Sequence, residues 1–328
     1  MKRSFRTIAA LGAVAALALT ATGCASATPE KLTIAFVMGA ESDPFFQAMK
    51  VGAEAEAAAQ GVDLIWQGDP ANYSAETQLP IVESVLAQQP DGLVLIPTDP
   101  AALQAVSDKA VAAGIAVANV DTHTNDLSKV VTFITGDNTD GGATAADAIA
   151  KAIGYTAGKT YEVVIGLTSA TATTNVDRQK GFEAAVAANY PGIQIKDVAY
   201  SESNPEKAAT NVSNWLTKYP NLKGIFAIDG TNASGAAAAL QAKNLVGKVA
   251  LVGYDAYPAN VQLIKDGVFT ALIAQDPAAE ARLAIKTLVA FLKDGTKPAQ
   301  RDVVIPNFAL TADSTDAEFA QYTYVATN

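Results

Sequence analysis

Residues 32–61 read LTIAFVMGAESDPFFQAMKVGAEAEAAAQG, and this stretch decides the fold. A short apolar run at 32–38 ends in a polar turn, and a helical stretch then runs over 44–60 and stops at Gly61. An apolar run of strand length followed by a returning helix is the first half of a βαβ unit. The stretch therefore predicts a parallel sheet with helices on its faces.

The same alternation of apolar runs and helical stretches continues to residue 135 and restarts after Gly136. In the second series one predicted helix covers 177–189. A last extended piece covers 302–305, and the tail that follows Pro306 is not of informatively low complexity. Two successive series predict an α/β fold with two doubly wound parallel-sheet lobes and a cleft between them.

Polar side chains follow the ends of several predicted strands. In such sheets a ligand lies at the carboxyl ends of the strands, so these side chains should meet in the cleft. The residues concerned are Asp43, Asp121, Thr122, Asn175, Arg178, Asp229, Asp255 and Gln275. Their convergence predicts a binding site for a small polar molecule.

The chemistry of these side chains favours a neutral polyhydroxylated ligand. Carboxylates and amides can each engage neighbouring hydroxyls, and aromatic rings can cover the apolar face of a sugar. Phe45, Phe46 and Trp66 are candidates for that cover, with one of the two phenylalanines expected in the core. A phosphorylated ligand would need more cations than Arg178.

Several of these residues also have a purely structural interpretation. Asp43 before Pro44 is a good helix start, and Asp137-Asn138 is a candidate helix cap. Asp229-Gly230 is compatible with a plain turn, and Trp66 with ordinary core packing.

The N-terminus predicts export. Three cations at Lys2, Arg3 and Arg6 precede a nearly unbroken apolar run over 7–20, with small residues before Cys24. This pattern is typical of a secretory signal, and the run is shorter than the ~20 residues of a membrane span. Residues 1–23, which end in Gly23 directly before Cys24, resemble a bacterial lipoprotein signal, and this resemblance predicts lipidation of Cys24. An ordinary cleaved signal with an incidental cysteine is the alternative.

Charge and cysteine content exclude several classes of partner. Removal of 1–23 takes away three positive charges and no acid, so the formal net charge goes from −10 to −13. A chain this acidic repels nucleic acid and anionic lipid. We therefore expect that only a lipid anchor attaches it to the membrane. His123 is the only histidine in the sequence and Cys24 is the only cysteine, so we expect no metal, no cofactor and no disulfide. We expect a monomer.

At its strand-end motifs the chain resembles the type I, ribose-binding-like substrate-binding proteins of sugar ABC transporters, over about residues 31–310. The matching segments are Asp-Pro-Phe-Phe at 43–46, Pro-Thr-Asp at 97–99, Asp121, Gly-Asp-Asn at 136–138 with Gly141-Gly142, Arg178 with Gly181-Phe182, Gly-Tyr-Asp at 253–255, and Ala274-Gln275.

The chain departs from the family's ribose-binding pattern at three places. Thr122 and Val176 stand where that pattern has arginines, and Ser203 lies near the place of an expected aromatic ring. The departures favour a different monosaccharide, or a small linear polyol, over ribose.

The resemblance also implies a mechanism. Two lobes joined by three crossings would close on the ligand, and the closed form would dock on a membrane permease. The alignment places the crossings near Thr135, Gln275 and Val304, with an N-terminal lobe of 31–135 plus 276–304 and a C-terminal lobe of 136–275 plus 305–328. The protein would then be an extracytoplasmic receptor that is lipid-anchored to the cell membrane.

Two other classes stay open. A carbohydrate-active enzyme on the same cleft would use paired carboxylates such as Asp121 and Asp255, although no nucleophile motif accompanies them. A receptor for a membrane signalling protein would have the same binding site and a different partner.

Overall fold

A computed structural model describes residues 31–325. The predicted signal peptide, residues 1–23, and the predicted lipidation site at Cys24 lie outside the described residues. Within the described part, no helix is both long enough and apolar enough to cross a membrane.

The elements follow the predicted alternation. The first series comprises β1 (Thr33–Ala40), α1 (Pro44–Gln60), β2 (Asp63–Asp69), α2 (Ala75–Leu86), β3 (Gly92–Leu95), α3 (Gln104–Ala112), β4 (Ala116–Val120) and β5 (Thr132–Gly136). The second comprises α4 (Asn138–Ala152), β6 (Tyr161–Leu167), α5 (Thr173–Asn189), β7 (Ile193–Tyr200), α6 (Pro205–Lys218), β8 (Leu222–Ala227), α7 (Gly230–Ala242), β9 (Ala250–Tyr254), α8 (Pro258–Lys265) and β10 (Ala271–Ala274). The chain ends with α9 (Pro277–Asp294), β11 (Asp302–Ile305), β12 (Phe308–Leu310) and α10 (Asp316–Tyr322).

Two sheets with the same winding order confirm the predicted fold class. The first sheet has the order β11-β5-β4-β3-β1-β2 and the second has the order β12-β10-β9-β8-β6-β7. All neighbouring strands are parallel except β12, which runs antiparallel to β10. Each sheet with its helices forms one lobe.

The chain passes between the sheets three times: after β5, after β10, and between β11 and β12. Helix α9 packs on α1 and on β3, β4 and β5 of the first sheet. The residue boundaries of the two lobes given by the alignment stay predictions.

Local sequence explains where three of the helices beside the cleft begin. The side chains of Asp43, Asp137 and Asp229 cap α1, α4 and α7, each accepting a backbone N–H of the first turn. The capping role suggested for Asp137 is therefore confirmed. Gly61, at φ 68°, ends α1 in the left-handed region, as its position predicted.

Two parts of the chain differ from the prediction. Helix α5 begins at Thr173, four residues before the predicted start, so Asn175 as well as Arg178 lies on its first turns. The tail contains β12 and α10, which are three and seven residues long. Elements this short contain too few residues for a periodic pattern to be visible.

Candidate functional site

A cavity lies between the two sheets at the carboxyl ends of their strands. The free space in it, with its opening to solvent included, is about 410 Å³. Its lining consists of Asp43, Phe45, Phe46, Tyr73, Asp121, Thr168, Thr174, Asn175, Arg178, Ser203, Asp229, Asp255, Tyr257 and Gln275.

Asp121 and Asp255 occupy equivalent positions in the two lobes. Asp121 follows β4 and Asp255 follows β9, the third strands in the order of their sheets. Both have a left-handed backbone, with φ of 59° and 66°. Each donates its backbone N–H at 2.8 Å to the neighbouring strand, to the carbonyls of Ile134 and Ile273. Non-glycine residues in this region cluster at functional sites.

The carboxylate of Asp255 accepts hydrogen bonds from three neighbours. Gly230 donates its N–H at 3.0 Å to Oδ2, and the Gln275 amide donates at 2.7 Å to Oδ1. The hydroxyl of Tyr324 donates at 2.9 Å to the same Oδ1. These contacts fix the orientation of the Asp255 carboxylate.

Asp43 joins the two lobes across the cavity. It accepts a hydrogen bond from the N–H of Phe45 at 2.9 Å and another from the hydroxyl of Tyr257, which follows β9 in the second lobe. The ring of Tyr257 lies directly over Gly230, where any Cβ would overlap it. The glycine is therefore needed for the tyrosine to reach Asp43.

The carboxylate of Asp229 accepts hydrogen bonds from α7 and from the residue that follows β6. Its Oδ2 accepts hydrogen bonds from the Thr168 hydroxyl and the Asn232 amide, both at 2.6 Å. The Asn175 amide oxygen in turn accepts the N–H groups of Thr168 and Ser169 at 2.8 and 3.1 Å. Because this oxygen is occupied, the NH₂ group of Asn175 is the part available to a ligand.

Arg178 is buried and fixed on three sides. Its Nε donates at 2.8 Å to Asn138, and its Nη1 donates at 2.9 Å to the carbonyl of Ile228. The guanidinium carbon lies 3.7 Å from the ring centroid of Tyr254, a cation–π contact. Burial alone would lower the pKa of Arg178, but Tyr254 and the acids around it raise that pKa, so the side chain stays charged.

Burial disfavours ionisation of the acids in the cavity. It raises the pKa of Asp43 to about 7 against the hydrogen bonds from Tyr257 and Phe45. It raises the pKa of Asp121 to about 7 against the field of Arg178. Burial also raises the pKa of Glu280 on α9, a fully buried carboxyl without a hydrogen-bond partner in the described part of the chain. A ligand that donates hydrogen bonds would replace the water that Asp43 and Asp121 have lost.

The structure brings together most of the predicted site residues. Nine of the eleven line the cavity: Asp43, Phe45, Phe46, Asp121, Asn175, Arg178, Asp229, Asp255 and Gln275. The expectation that only one phenylalanine faces the cleft is wrong. Phe45 and Phe46 are both buried, both line the cavity and meet edge to face at 5.3 Å.

Two predicted residues do not reach the cavity. Trp66 lies in the middle of β2, in register with Phe36, and its ring packs on that ring at 4.7 Å. A side chain there is three residues short of the strand end at Asp69 and cannot reach the carboxyl edge. Thr122 is fully buried, and its hydroxyl donates at 2.7 Å to the carbonyl of Pro97 behind the cavity wall.

Five residues that line the cavity were not predicted as site residues from the sequence: Tyr73, Thr168, Thr174, Ser203 and Tyr257. Two of them had a signal in the sequence. Thr168 follows β6 directly, and Tyr257 lies two residues after Asp255. Tyr73 comes from the irregular segment between β2 and α2, where no periodic pattern marks a position.

The cavity presents both hydrogen-bond donors and hydrogen-bond acceptors to a ligand. Carboxylates accept, Arg178 and the Asn175 amide donate, and the rings of Phe45 and Phe46 supply an apolar wall. Among the described residues, no group of three histidines, cysteines or acids is arranged to hold a metal ion.

Known proteins are similar to this chain in both sequence and fold. Residues 34–297 match the family described as periplasmic binding protein domain. The chain is 32% identical over 286 residues to the D-ribose/D-allose-binding protein of Pseudomonas aeruginosa, with 85% of this chain and 88% of that protein covered. It is 33% identical over 282 residues to the ribose import binding protein RbsB of Escherichia coli, covering 85% and 91%.

A solved structure agrees with the fold. The ABC transporter solute-binding protein of Agrobacterium vitis, bound with α-D-tagatopyranose, has a TM-score of 0.84 and 28% identity, covering 90% of this chain and all of that one. The match of the family model over most of the chain, together with the two-sheet topology and the cavity at the strand ends, shows that this chain belongs to the periplasmic binding protein family.

Proposed function

We propose that this protein is an extracytoplasmic solute-binding receptor. It captures a neutral sugar or small polyol between its lobes and delivers the molecule to an ABC permease. Relatives named for ribose, allose and ribose import support this proposal, as does a structural neighbour bound to a ketohexose.

One observation carries the proposal. Each lobe presents a left-handed aspartate at the same strand end, Asp121 in one and Asp255 in the other, on opposite walls of one cavity. Two buried acceptors on opposite walls require a ligand with hydroxyls on both of its sides. A molecule lacking them would leave buried polar groups unpaired at about 1–3 kcal/mol each.

The ligand-binding set that we propose comprises the nine predicted residues in the cavity together with Tyr73, Thr168 and Tyr257. Arg178 is the only cationic side chain among the lining residues, which disfavours a phosphorylated ligand. Ser203 lines the cavity in place of a large ring, so less stacking surface is offered to a pyranose. These features favour a monosaccharide other than ribose, or a linear polyol.

The lobes close as a hinge about the three crossings, near Thr135, Gln275 and Val304. The hydrogen bond between Tyr257 and Asp43 supports this proposal because it joins the lobes on the cavity side. The closed form, with its ligand enclosed, is the state that docks on the permease. We propose that the receptor acts as a monomer.

We further propose that residues 1–23 are removed and that Cys24 carries the lipid that keeps the receptor at the membrane. Mass spectrometry of protein expressed in a bacterial host tests this point. A mature chain that begins at a diacylated Cys24 supports it, and a free thiol at this position contradicts it.

A ligand panel tests the proposed function. Calorimetric titration of the mature chain with D-ribose, D-allose, D-tagatose, D-arabinose, xylitol and erythritol should reveal at least one ligand bound without turnover. A phosphorylated sugar serves as the matched control and should not bind. Absence of binding across the panel, or consumption of a bound sugar, would contradict the proposal.

A further inference from the structure

The C-terminal tail extends to the residues of the site. The match to the family model ends at residue 297, and the tail is the segment over 311–325 that follows β12. Helix α10 begins with a capping box between Thr315 and Glu318. The Tyr322 ring stacks on Phe308 at 4.3 Å and nearly parallel, at 4°. These contacts anchor the tail to the second lobe.

The tail ends by placing Tyr324 behind the cavity. Its backbone N–H donates at 3.0 Å to the carbonyl of Ala256. Its hydroxyl donates at 2.9 Å to Asp255 Oδ1 and accepts the backbone N–H of Gln275 at 3.2 Å. Tyr324 is buried, with 5% of the residue exposed, although it does not line the cavity itself.

The two partners of the Tyr324 hydroxyl are both residues of the site. Asp255 is the aspartate with a left-handed backbone that follows β9 in the second lobe. Gln275 lines the cavity at the second crossing between the sheets. A buried hydroxyl with both its donor and its acceptor function satisfied holds its neighbours in one geometry. Without the hydroxyl, Asp255 loses one of its three donors and the N–H of Gln275 loses its acceptor.

The ring of Tyr324 also contacts both lobes. Its centroid lies 6.1 Å from that of Tyr257 in the second lobe and 6.2 Å from that of Phe45 on α1 of the first. The tail therefore supports the cavity wall on both sides of the cleft.

We propose that Tyr324 is a positioning residue for ligand binding, which the C-terminal tail delivers to Asp255 and Gln275. It acts through the Asp255 carboxylate and does not touch the ligand. The inference rests on the proposed function, because the affinity that it concerns is that for a sugar or polyol.

The variant Tyr324→Phe tests the proposal because it removes the hydroxyl and keeps the ring. Tyr322→Phe is the matched control, since it removes a hydroxyl from the same tail outside the cavity. Calorimetry with D-ribose, D-allose and xylitol should show roughly tenfold weaker binding for Tyr324→Phe and less than about a twofold change for Tyr322→Phe. Equal affinities of Tyr324→Phe and the wild type would overturn the proposal.

A second measurement needs no ligand, so it separates this proposal from the proposed function. The tyrosine donor lowers the pKa of Asp255 against the effect of burial, so the pKa of this carboxyl should rise in Tyr324→Phe. An NMR titration of the aspartate carboxyl carbons measures it, with Tyr322→Phe expected to match the wild type. An unchanged Asp255 pKa in Tyr324→Phe refutes the positioning role whether or not any sugar binds.

Discussion

Asp121 and Asp255 have the same backbone conformation at equivalent strand ends but different surroundings. The carboxylate of Asp255 is held by Gly230, Gln275 and Tyr324. The carboxylate of Asp121 has no hydrogen-bond donor among the described residues, although its own backbone carbonyl accepts from Thr135. We therefore propose that the Asp121 carboxylate is free to accept hydrogen bonds from the ligand, whereas the Asp255 carboxylate also accepts three hydrogen bonds within the protein.

This difference separates the effects of two substitutions. Asp121→Ala should abolish detectable ligand binding and leave the melting temperature unchanged or higher, because it removes a buried carboxyl that accepts no hydrogen bond from the described residues. Asp255→Ala should abolish binding and also destabilise the fold by about 1–3 kcal/mol, because three donors lose their acceptor. Calorimetry and thermal unfolding measure the two effects. Wild-type affinity in both variants would contradict the site assignment.

Ligand affinity should depend on pH near neutrality. The pKa values of Asp43 and Asp121 are raised to about 7, and hydroxyl donors prefer the ionised carboxylates. Binding below this pH must therefore release protons, so affinity should fall by roughly tenfold as the pH decreases from about 8 to about 5.5. Calorimetry in two buffers of different ionisation enthalpy detects the release. A constant affinity over this range contradicts the assigned acceptor role.

At the residue scale, the sequence predicted the strand-end acids because the carboxyl edge of a parallel sheet is a fixed place. Trp66 was wrongly assigned to the site because an aromatic residue in an apolar run can lie anywhere along the strand. Tyr73 and Tyr324 could not be found, since they reach the site from an irregular segment and from a short tail. Their positions depend on tertiary packing, which leaves no periodic trace in the sequence.

Helix α5 shows how packing between elements places site residues. It carries Asn175 and Arg178 and lies against α4, with Gly142 facing the carbonyl of Arg178 and Gly181 facing the carbonyl of Thr139. A Cβ at either glycine would overlap backbone of the other helix. The two glycines therefore set the close approach that brings Arg178 to the cavity.

Gly181→Ala should destabilise the protein despite the higher helix propensity of alanine. The gain of up to about 1 kcal/mol is outweighed by an overpacking cost of about 1–3 kcal/mol against fixed backbone. Ligand binding should weaken as α5 shifts. Ala184→Ser is the control, because it adds one atom on the exposed face of the same helix. A melting temperature of Gly181→Ala equal to that of the control would contradict the packing argument.

Element boundaries were predictable where caps are explicit. Asp43 with Pro44 and Gly61 fixed both ends of α1. The start of α5 was missed because Ala172 provides no side-chain cap, so the Ser/Thr-rich segment before Asn175 had no start signal. Asn175 and Arg178 were still assigned to the site because their order after β6 was correct.

For the whole molecule, the closure of the lobes that we propose would link ligand binding to transport. The lobes meet across the cavity through the hydrogen bond from Tyr257 to Asp43, and beside it through the N–H of His123 and the hydroxyl of Thr173 at 3.3 Å. Because both contacts join one lobe to the other, we expect them to affect ligand release more than ligand entry.

Tyr257→Phe tests this link. The variant keeps the ring over Gly230 and loses the hydrogen bond across the cleft. We expect ligand dissociation to accelerate by roughly tenfold while association changes little. Stopped-flow fluorescence measures both rates, with Tyr219→Phe, a tyrosine of the second lobe outside the cavity, as the control. A slower association rate with unchanged dissociation would contradict this role in closure.

We propose that the strand-end aspartates of both lobes hold one neutral ligand between them. A crystal structure of the mature chain with the tightest-binding sugar or polyol of the panel would show the contacts themselves. We expect ligand hydroxyls at about 2.5–3.0 Å from the carboxylates of both Asp121 and Asp255. A ligand that contacts one lobe only, or that lies outside this cavity, would refute the proposed binding mode.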